Sequence, residues 1–168
     1  MNSQYTSFNT TNQSIYIEES SMKAFLKKLM TSDAGFAPLA LRIPVGIIYM
    51  AHGSQKLFGW FGGHGLSGTA QWMNSIGLEP GIVMATLAGS GEFFGGLLLL
   101  LGLLTRPAAF VTAFTMIVAI FSVHISHGLF LSNGGFEYGL ALFAASLSIL
   151  FSGQGKVAVD NLIVRQTK

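Results

Sequence analysis

Four long apolar stretches, separated by short polar or glycine-rich joints, dominate the chain from residue 36 onward. They cover about residues 36–58, 82–104, 107–127 and 136–151. The first three have the length of a helix that crosses a bilayer, whereas the fourth would span only about 24 Å at 1.5 Å per residue. Because lipid offers no partners to open backbone groups, we expect all four to be helical. The pattern therefore predicts an all-α membrane protein, a four-transmembrane-helix bundle.

The joints and ends divide the rest of the chain. Before the first span, Met22 and Phe25 alternate with Lys23 and Lys27, which is typical of an amphipathic helix that either lies on the membrane surface or extends the first span. The predicted division is a flexible polar tail at 1–21, an amphipathic helix at 22–34, the membrane domain at 35–162 and a C-terminal tail at 163–168.

Two joints carry local signals. Thr105 precedes Arg106 and Pro107, which predicts a tight turn with Thr105 as the N-cap of the third span. The long first loop contains a stretch, 67–76, that we expect to form a short helix held at the membrane interface by Trp72.

Charge is scarce and unevenly placed. Charged residues make up 10% of the chain, against about 25% in soluble domains. Most basic residues flank the first span, the second joint or the fourth span: Lys23, Lys27, Lys28, Arg106, Lys156, Arg165 and Lys168. The positive-inside rule then places both termini in the cytoplasm and the long first loop outside. We expect a multi-pass membrane protein, with the lipid bilayer as its main partner.

The composition also excludes several classes of functional site. No basic cluster is large enough for nucleic acid. The chain has no cysteine, which excludes CxxC redox pairs and cysteine-ligated clusters. No covalently bound cofactor is expected, and electron chemistry would need a bound molecule such as a quinone, or a partner protein.

Glu92 stands about ten residues inside the second apolar stretch. A charge at that depth costs roughly 2.5–3.5 kcal/mol on insertion scales, so it normally faces the interior of a bundle. The residues one turn away are small, namely Ala88, Gly89, Gly95 and Gly96. Small residues let another helix approach closely. We therefore expect Glu92 to point toward a neighbouring helix.

Other polar residues share this interior. The first helix places Arg42, Gly46, Tyr49, His52 and Lys56 at helical spacing. The fourth is expected to present Glu137, Ala141, Ala144, Ala145 and Ser148, and the third carries His124 and His127 one turn apart near its outer end. Together they predict a polar cavity that opens outward, lined by Tyr49, His52, Lys56, Glu92, His124 and Glu137. The alternative is that these residues are structural ion pairs and interface anchors. The Glu-x-x-His motifs of bundle metal sites are absent, and no metal site is predicted.

An ordered set of short motifs resembles the DoxX family of bacterial membrane proteins. The motifs are Leu41-Arg42, His52-Gly53-Ser54-Gln55-Lys56-Leu57-Phe58, Gly91-Glu92-Phe93-Phe94-Gly95-Gly96, Gly102-Leu103-Leu104-Thr105-Arg106, Gly135-Phe136-Glu137-Tyr138, and Gly153-Gln154-Gly155-Lys156 with Asp160. The resemblance implies a four-helix inner-membrane protein. Some members are quinone-facing subunits of a thiosulfate:quinone oxidoreductase, and others are tied to oxidative stress or quinone resistance. Position by position, it draws attention to Arg42, His52, Lys56, Glu92, Arg106, Glu137 and Tyr138.

Two functions remain open from the sequence. The first is a quinone-linked redox subunit, with Glu92, His52 and Lys56 as catalytic proton donors. Its substrate-binding residues would be Arg42, Tyr49, Phe93, His124, Glu137 and Tyr138, with Phe94 and Phe121 also flanking the quinone ring. The second is a non-enzymatic scaffold for a soluble redox partner, or a carrier of a small apolar compound. A homo-oligomer is compatible with both.

Overall fold

The computed structural model describes residues 20–25 and 27–166, without the side chain of Gln166. Most of the tail predicted at 1–21 lies outside the described residues. Within them the regular elements are all helical, which confirms the all-α class. Residues 20–25 and 27–29 are helical, where the amphipathic helix was predicted.

The main helices are α1 (Ala37–Phe58), α2 (Gly65–Ser75), α3 (Gly81–Leu101), α4 (Thr105–Ala119), α5 (Glu137–Ser152) and α6 (Val159–Gln166). The chain continues from α4 through a π-helical turn, Ile120–His124, and a 3₁₀ turn, Ile125–His127. The four predicted long helices and the short helix in the first loop therefore occur close to their expected bounds. Helix α6 was not predicted, since its last residues had been assigned to a tail.

Two helices within the described part of the chain are long and apolar enough to cross a membrane. They are Gly81–Leu101 and Thr105–His127. Their outer surfaces expose large apolar side chains, including Leu87, Phe110 and Phe114. Helix α1 has the length of a span, but it carries Arg42, His52 and Lys56. Helix α5 is apolar and has 16 residues.

Helices α1 and α3 pack with their backbones in contact. A Cβ atom at Gly96 would lie 2.7 Å from the carbonyl oxygen of Gly46, and one at Gly53 would overlap the backbone of Phe93. Any larger side chain at these positions would push the helices apart. The small residues on α3 therefore do what the sequence predicted, since they admit α1 at the shortest distance.

A cluster of hydroxyl groups joins α1, α4 and α5 at the centre of the bundle. The Tyr49 hydroxyl lies 3.0 Å from Ser146 Oγ, and Thr112 Oγ1 donates to Ser146 Oγ at 3.2 Å. All three residues are fully buried. Each polar group thus finds a partner away from solvent, as burial requires.

The face of α5 that packs inward differs from the predicted one. Gly139, Leu142, Ser146 and Ile149 are buried. The predicted stripe was wrong, because Glu137, Ala141, Ala144 and Ser148 are exposed and Ala145 is only partly buried. Apolar residues surround this helix on every side, so small residues alone do not mark its interior face.

One end of the bundle, here called the basic end, is closed by side-chain bonds to helix termini. It contains the start of α1, the α3–α4 turn, the end of α5 and α6. Arg42, 1% exposed, donates from Nη1 to the carbonyl oxygens of Leu99 and Leu100, both at 3.0 Å, and from Nη2 to that of Val157. Because the last carbonyls of a helix have no intrahelical partner, Arg42 completes the C-terminus of α3.

The start of α4 is completed by a residue far away in sequence. Asp160 accepts hydrogen bonds from the backbone N–H groups of Leu104, at 2.8 Å, and Thr105, at 3.2 Å, and from Thr105 Oγ1 at 3.3 Å. The predicted role of Thr105 as N-cap was wrong, because Leu104 occupies that position. The carboxylate of α6 satisfies the helix terminus in its place.

We predict that Asp160→Ala lowers the free energy of unfolding by about 1–3 kcal/mol, because it leaves buried donors without an acceptor. The measurement is thermal or denaturant unfolding of the purified protein in one detergent. Asp33→Ala is the matched control, since Asp33 is exposed. Equal stability of the two variants would contradict a stabilising role for the α6 contact.

Candidate functional site

An ion pair joins α1 to α3 near the end of the bundle opposite the basic end. Lys56 Nζ lies 2.5 Å from Glu92 Oε2, and Glu92 is 3% exposed. Gly89, one turn before Glu92, lies against the side chains of Lys56 and Leu57. Glu92 therefore points at a neighbouring helix, as its small-residue face predicted, and its buried charge is compensated.

A cavity of about 320 Å³ adjoins this ion pair. Residues of α1, α3, α4 and α5 form its walls, and α2 contributes Trp72 and Met73. We call this end of the bundle the cavity end. The walls consist mainly of apolar side chains with a few polar groups among them. This mixture differs from the polar cavity that the sequence predicted.

Six residues proposed from the sequence as site residues lie on the cavity wall. They are Tyr49, His52, Lys56, Glu92, His124 and Tyr138. The rings of His52 and Tyr138 approach to 6.0 Å between centroids, which brings α1 and α5 together there. Tyr49 lies deeper, where its hydroxyl joins the buried cluster.

Three other proposed residues lie outside the cavity wall. Arg42 is at the basic end, where its guanidinium binds helix carbonyls. The ring of Phe93 packs edge-on against those of Phe58 and Phe94, with 5.2 Å between the ring centroids in each pair. Glu137 is exposed and accepts a hydrogen bond from the backbone N–H of Leu131 at 2.6 Å. These contacts hold all three side chains away from the cavity.

The phenylalanines proposed to flank a quinone ring do not line the cavity. Phe94 and Phe121 are 54% and 66% exposed and face outward. Trp72, expected only as an interface anchor, reaches the cavity because α2 packs on α3 through Ala70, Met73 and Ala85. The sequence could not show this contact, which depends on how the first loop folds back.

Thr115 and Ser122 line the wall from α4 and its continuation, and neither was proposed. They stand seven residues apart, the spacing that brings residues to one face of a helix. That spacing was a usable signal, but both residues lie in an apolar run where isolated hydroxyls are common.

The two histidines near the end of the third long helix make separate contacts. His124 lies on the cavity wall, and its Nδ1 is 2.7 Å from the carbonyl oxygen of Gly134. His127 is exposed, and its Nδ1 is 2.9 Å from the carbonyl oxygen of Val123. Sequence spacing grouped them, whereas the structure gives only His124 access to the cavity.

The arrangement can hold a small, largely apolar molecule that carries polar atoms. The apolar walls favour a hydrocarbon body, and Lys56, His52 and Tyr138 offer hydrogen-bonding groups. Such a combination is usual in small-molecule sites, where a few polar groups fix the orientation of a ligand.

We predict that Lys56→Met lowers the free energy of unfolding by about 3 kcal/mol, because it leaves the Glu92 carboxylate buried and unpaired. This is the low end for a broken buried pair, since the Lys56 side chain is 25% exposed. The double variant Lys56→Met/Glu92→Gln should recover most of the loss. Unfolding in detergent measures both, with Lys27→Met at an exposed position as control. A double variant no more stable than the single one would refute the pairing.

Comparison with known proteins agrees with the fold and the motifs. The DoxX family model matches residues 37–125. A Bacillus subtilis protein named "Putative oxidoreductase CatD" is 34% identical over 139 residues, which cover 83% of this chain and 96% of that protein. The Escherichia coli "Inner membrane protein YqjF" is 33% identical over 139 residues, 82% of this chain and 97% of that protein.

A Haemophilus influenzae protein of unassigned function is 36% identical over 129 residues, 72% of this chain and 86% of that protein. No solved structure gives a significant match. The family model covers more than half of the chain, and the relatives align along most of their own length. The protein is therefore a membrane protein of the DoxX family.

Proposed function

We propose that this protein is a quinone-linked redox subunit of the bacterial inner membrane, with four membrane spans. The observation that carries the redox part is the cavity beside the Lys56–Glu92 ion pair, which combines apolar walls with hydrogen-bonding groups. The name of the related Bacillus subtilis protein supports an oxidoreductase. That of the Escherichia coli relative supports the inner membrane.

The packing of α1 and α5 supports four spans. Both helices join the same buried hydroxyl cluster as α4, through Tyr49 and Ser146. Two helices that share this interior with the apolar α4 would cross the same layer of lipid. Helix α5 has 16 residues, so it would cover about 24 Å and lie upright in a locally thinned bilayer.

The placement of basic residues supports the orientation. Lys28, Arg106, Lys156 and Arg165 belong to segments at the basic end. On the cavity wall, Lys56 is the one residue that is a lysine or an arginine. The basic end would therefore face the cytoplasm, and the cavity end the outer side of the membrane.

We predict that single cysteines, introduced into this cysteine-free chain, report four crossings. Ser67→Cys and Ser132→Cys should react with a membrane-impermeant maleimide added to intact spheroplasts. Ser21→Cys and Val157→Cys should react only after the membrane is opened. All four positions are exposed in the structure. If α3 and α4 alone crossed the membrane, all four cysteines would share one side, and the proposed topology would be wrong.

The chemistry required is the reduction of two carbonyl groups to hydroxyls. A quinone takes two electrons and two protons to become a quinol, and the electrons would come from a reduced partner protein or a small dithiol. The protein would hold the ring between apolar walls and direct N–H groups of Lys56 and His52 at its oxygens. Glu92 would keep Lys56 in place and help to pass protons.

A second function is a non-enzymatic carrier or a scaffold, and the basic end favours it. Lys27, Lys28, Lys156 and Arg165 are exposed there. They would form a cationic surface suited to an acidic soluble partner. In that case the cavity would hold an apolar compound without changing it.

We predict that Glu92→Gln slows menadione-dependent oxidation of a dithiol by the purified protein at least about tenfold, since it removes a group from proton transfer. Glu137→Gln is the matched control, because Glu137 is exposed and its amide replacement can still accept the bond from Leu131. Menadione binding, measured by equilibrium dialysis, accompanies each rate. Equal rates for both variants would remove Glu92 from the reaction. Binding by the parent without any turnover would favour the carrier.

A further inference from the structure

We infer that His124 is the residue through which the cavity exchanges protons with water. This role rests on the proposed quinone function. It goes beyond the position of His124 on the cavity wall, which by itself assigns no role to that residue.

The contact between His124 and Gly134 determines which ring nitrogen carries the proton. His124 Nδ1 lies 2.7 Å from the Gly134 carbonyl oxygen. A carbonyl oxygen only accepts hydrogen bonds, so Nδ1 must donate. In the neutral ring, Nε2 then holds a lone pair and can take up a proton. The α4–α5 connection, which contains Gly134, thereby orients the ring. Nε2, the nitrogen that can accept a proton, takes no part in this bond.

The position of His124 suits exchange between two environments. It lies on the cavity wall and is also partly exposed. The chain there leaves the α-helix, first in a π-helical turn that ends at His124 and then in a 3₁₀ turn. Such departures from α-helical geometry occur often at functional sites.

Three other proton-bearing groups on the wall have polar partners of their own. Lys56 and Glu92 are paired with each other at 2.5 Å. The Tyr49 hydroxyl is fully buried in the cluster with Ser146. The ring of His52 packs beside that of Tyr138, with 6.0 Å between the ring centroids. A proton that leaves any of these groups must be replaced from water. His124 is partly exposed, as His52 is, and its Nδ1 bond to Gly134 leaves Nε2 available to take up that proton.

Protons and electrons balance in this transfer, and the neutral His124 ring keeps the same tautomer before and after it. His124 Nε2 takes a proton from water, and the imidazolium keeps its Nδ1–H bond to Gly134. As the quinone gains two electrons from the dithiol, Nε2–H gives its proton to a quinone oxygen or to a neighbouring wall group. The ring returns to its starting Nδ1–H form, and a second uptake supplies the second proton. The dithiol becomes a disulfide and releases its two protons to water.

The first test compares His124→Gln with His127→Gln. Glutamine at 124 can still donate to Gly134 but has no nitrogen that takes up a proton. We expect the maximal rate of menadione reduction to fall about tenfold or more, with the menadione dissociation constant within about twofold of the parent. His127 makes the same kind of bond, to the carbonyl oxygen of Val123, but its own side chain does not line the cavity, so His127→Gln should retain the parental rate. Equal rates for the two variants would overturn the inference.

The second test uses His124→Ala with added imidazole. Free imidazole can enter the space left by the side chain and restore proton transfer, so we expect a dose-dependent recovery of the rate. A merely structural role would not respond to imidazole, and a loss of rate without recovery would count against proton exchange. Failure of the parent to turn over menadione would reject the proposed function itself. An active parent with an equally active His124→Gln would reject only this inference.

Discussion

The contact between α1 and α3 is the constraint on which the rest of the structure depends. Glu92 is almost completely buried, and an unpaired carboxylate there would carry a large desolvation cost. Lys56 reaches it only because glycines at positions 46, 53, 89 and 96 let the two helices meet at backbone distance. The same approach places Tyr49 and His52 toward the centre of the bundle. The charged pair therefore depends on the glycine contact.

The two ends of the bundle are built differently. At the basic end, Arg42 and Asp160 complete the C-terminus of α3 and the N-terminus of α4. Helix termini are thus satisfied by side chains from distant segments, which ties α6 to the bundle. At the cavity end, α4 gives way to π and 3₁₀ turns, and α2 contributes Trp72 and Met73 to the cavity wall. The basic end is closed by side-chain hydrogen bonds, and the opposite end is less regular. The fold can therefore contain a cavity at one end while its helices stay paired at the other.

The composition of the cavity wall narrows the chemistry it can support. Apolar side chains dominate, so a strongly polar ligand would lose its hydration without replacement. Lys56, His52, Tyr138 and His124 place hydrogen-bonding groups at separate points on that wall. This combination suits a molecule with an apolar body and a few polar atoms. Because Lys56 and Glu92 are paired with each other, their charges can coexist with an otherwise apolar interior.

The sequence by itself determined the helical class, the bounds of the long helices and the inward direction of Glu92. Apolar runs of spanning length and a carboxylate among small residues follow from local spacing and from the cost of charge in an apolar medium. It also grouped Tyr49, His52, Lys56 and His124 correctly, because polar residues in apolar helices tend to face one another.

The tertiary structure decided which groups reach the cavity and which complete the ends of helices. Arg42 and Glu137 resembled site residues by spacing, but each satisfies nearby backbone groups instead. Trp72 reaches the wall through the fold of the first loop, and Asp160 reaches α4 from 55 residues away. The inner face of α5 was likewise settled by packing. Periodicity describes one helix at a time, whereas these contacts depend on the rotation and the closeness of several helices at once.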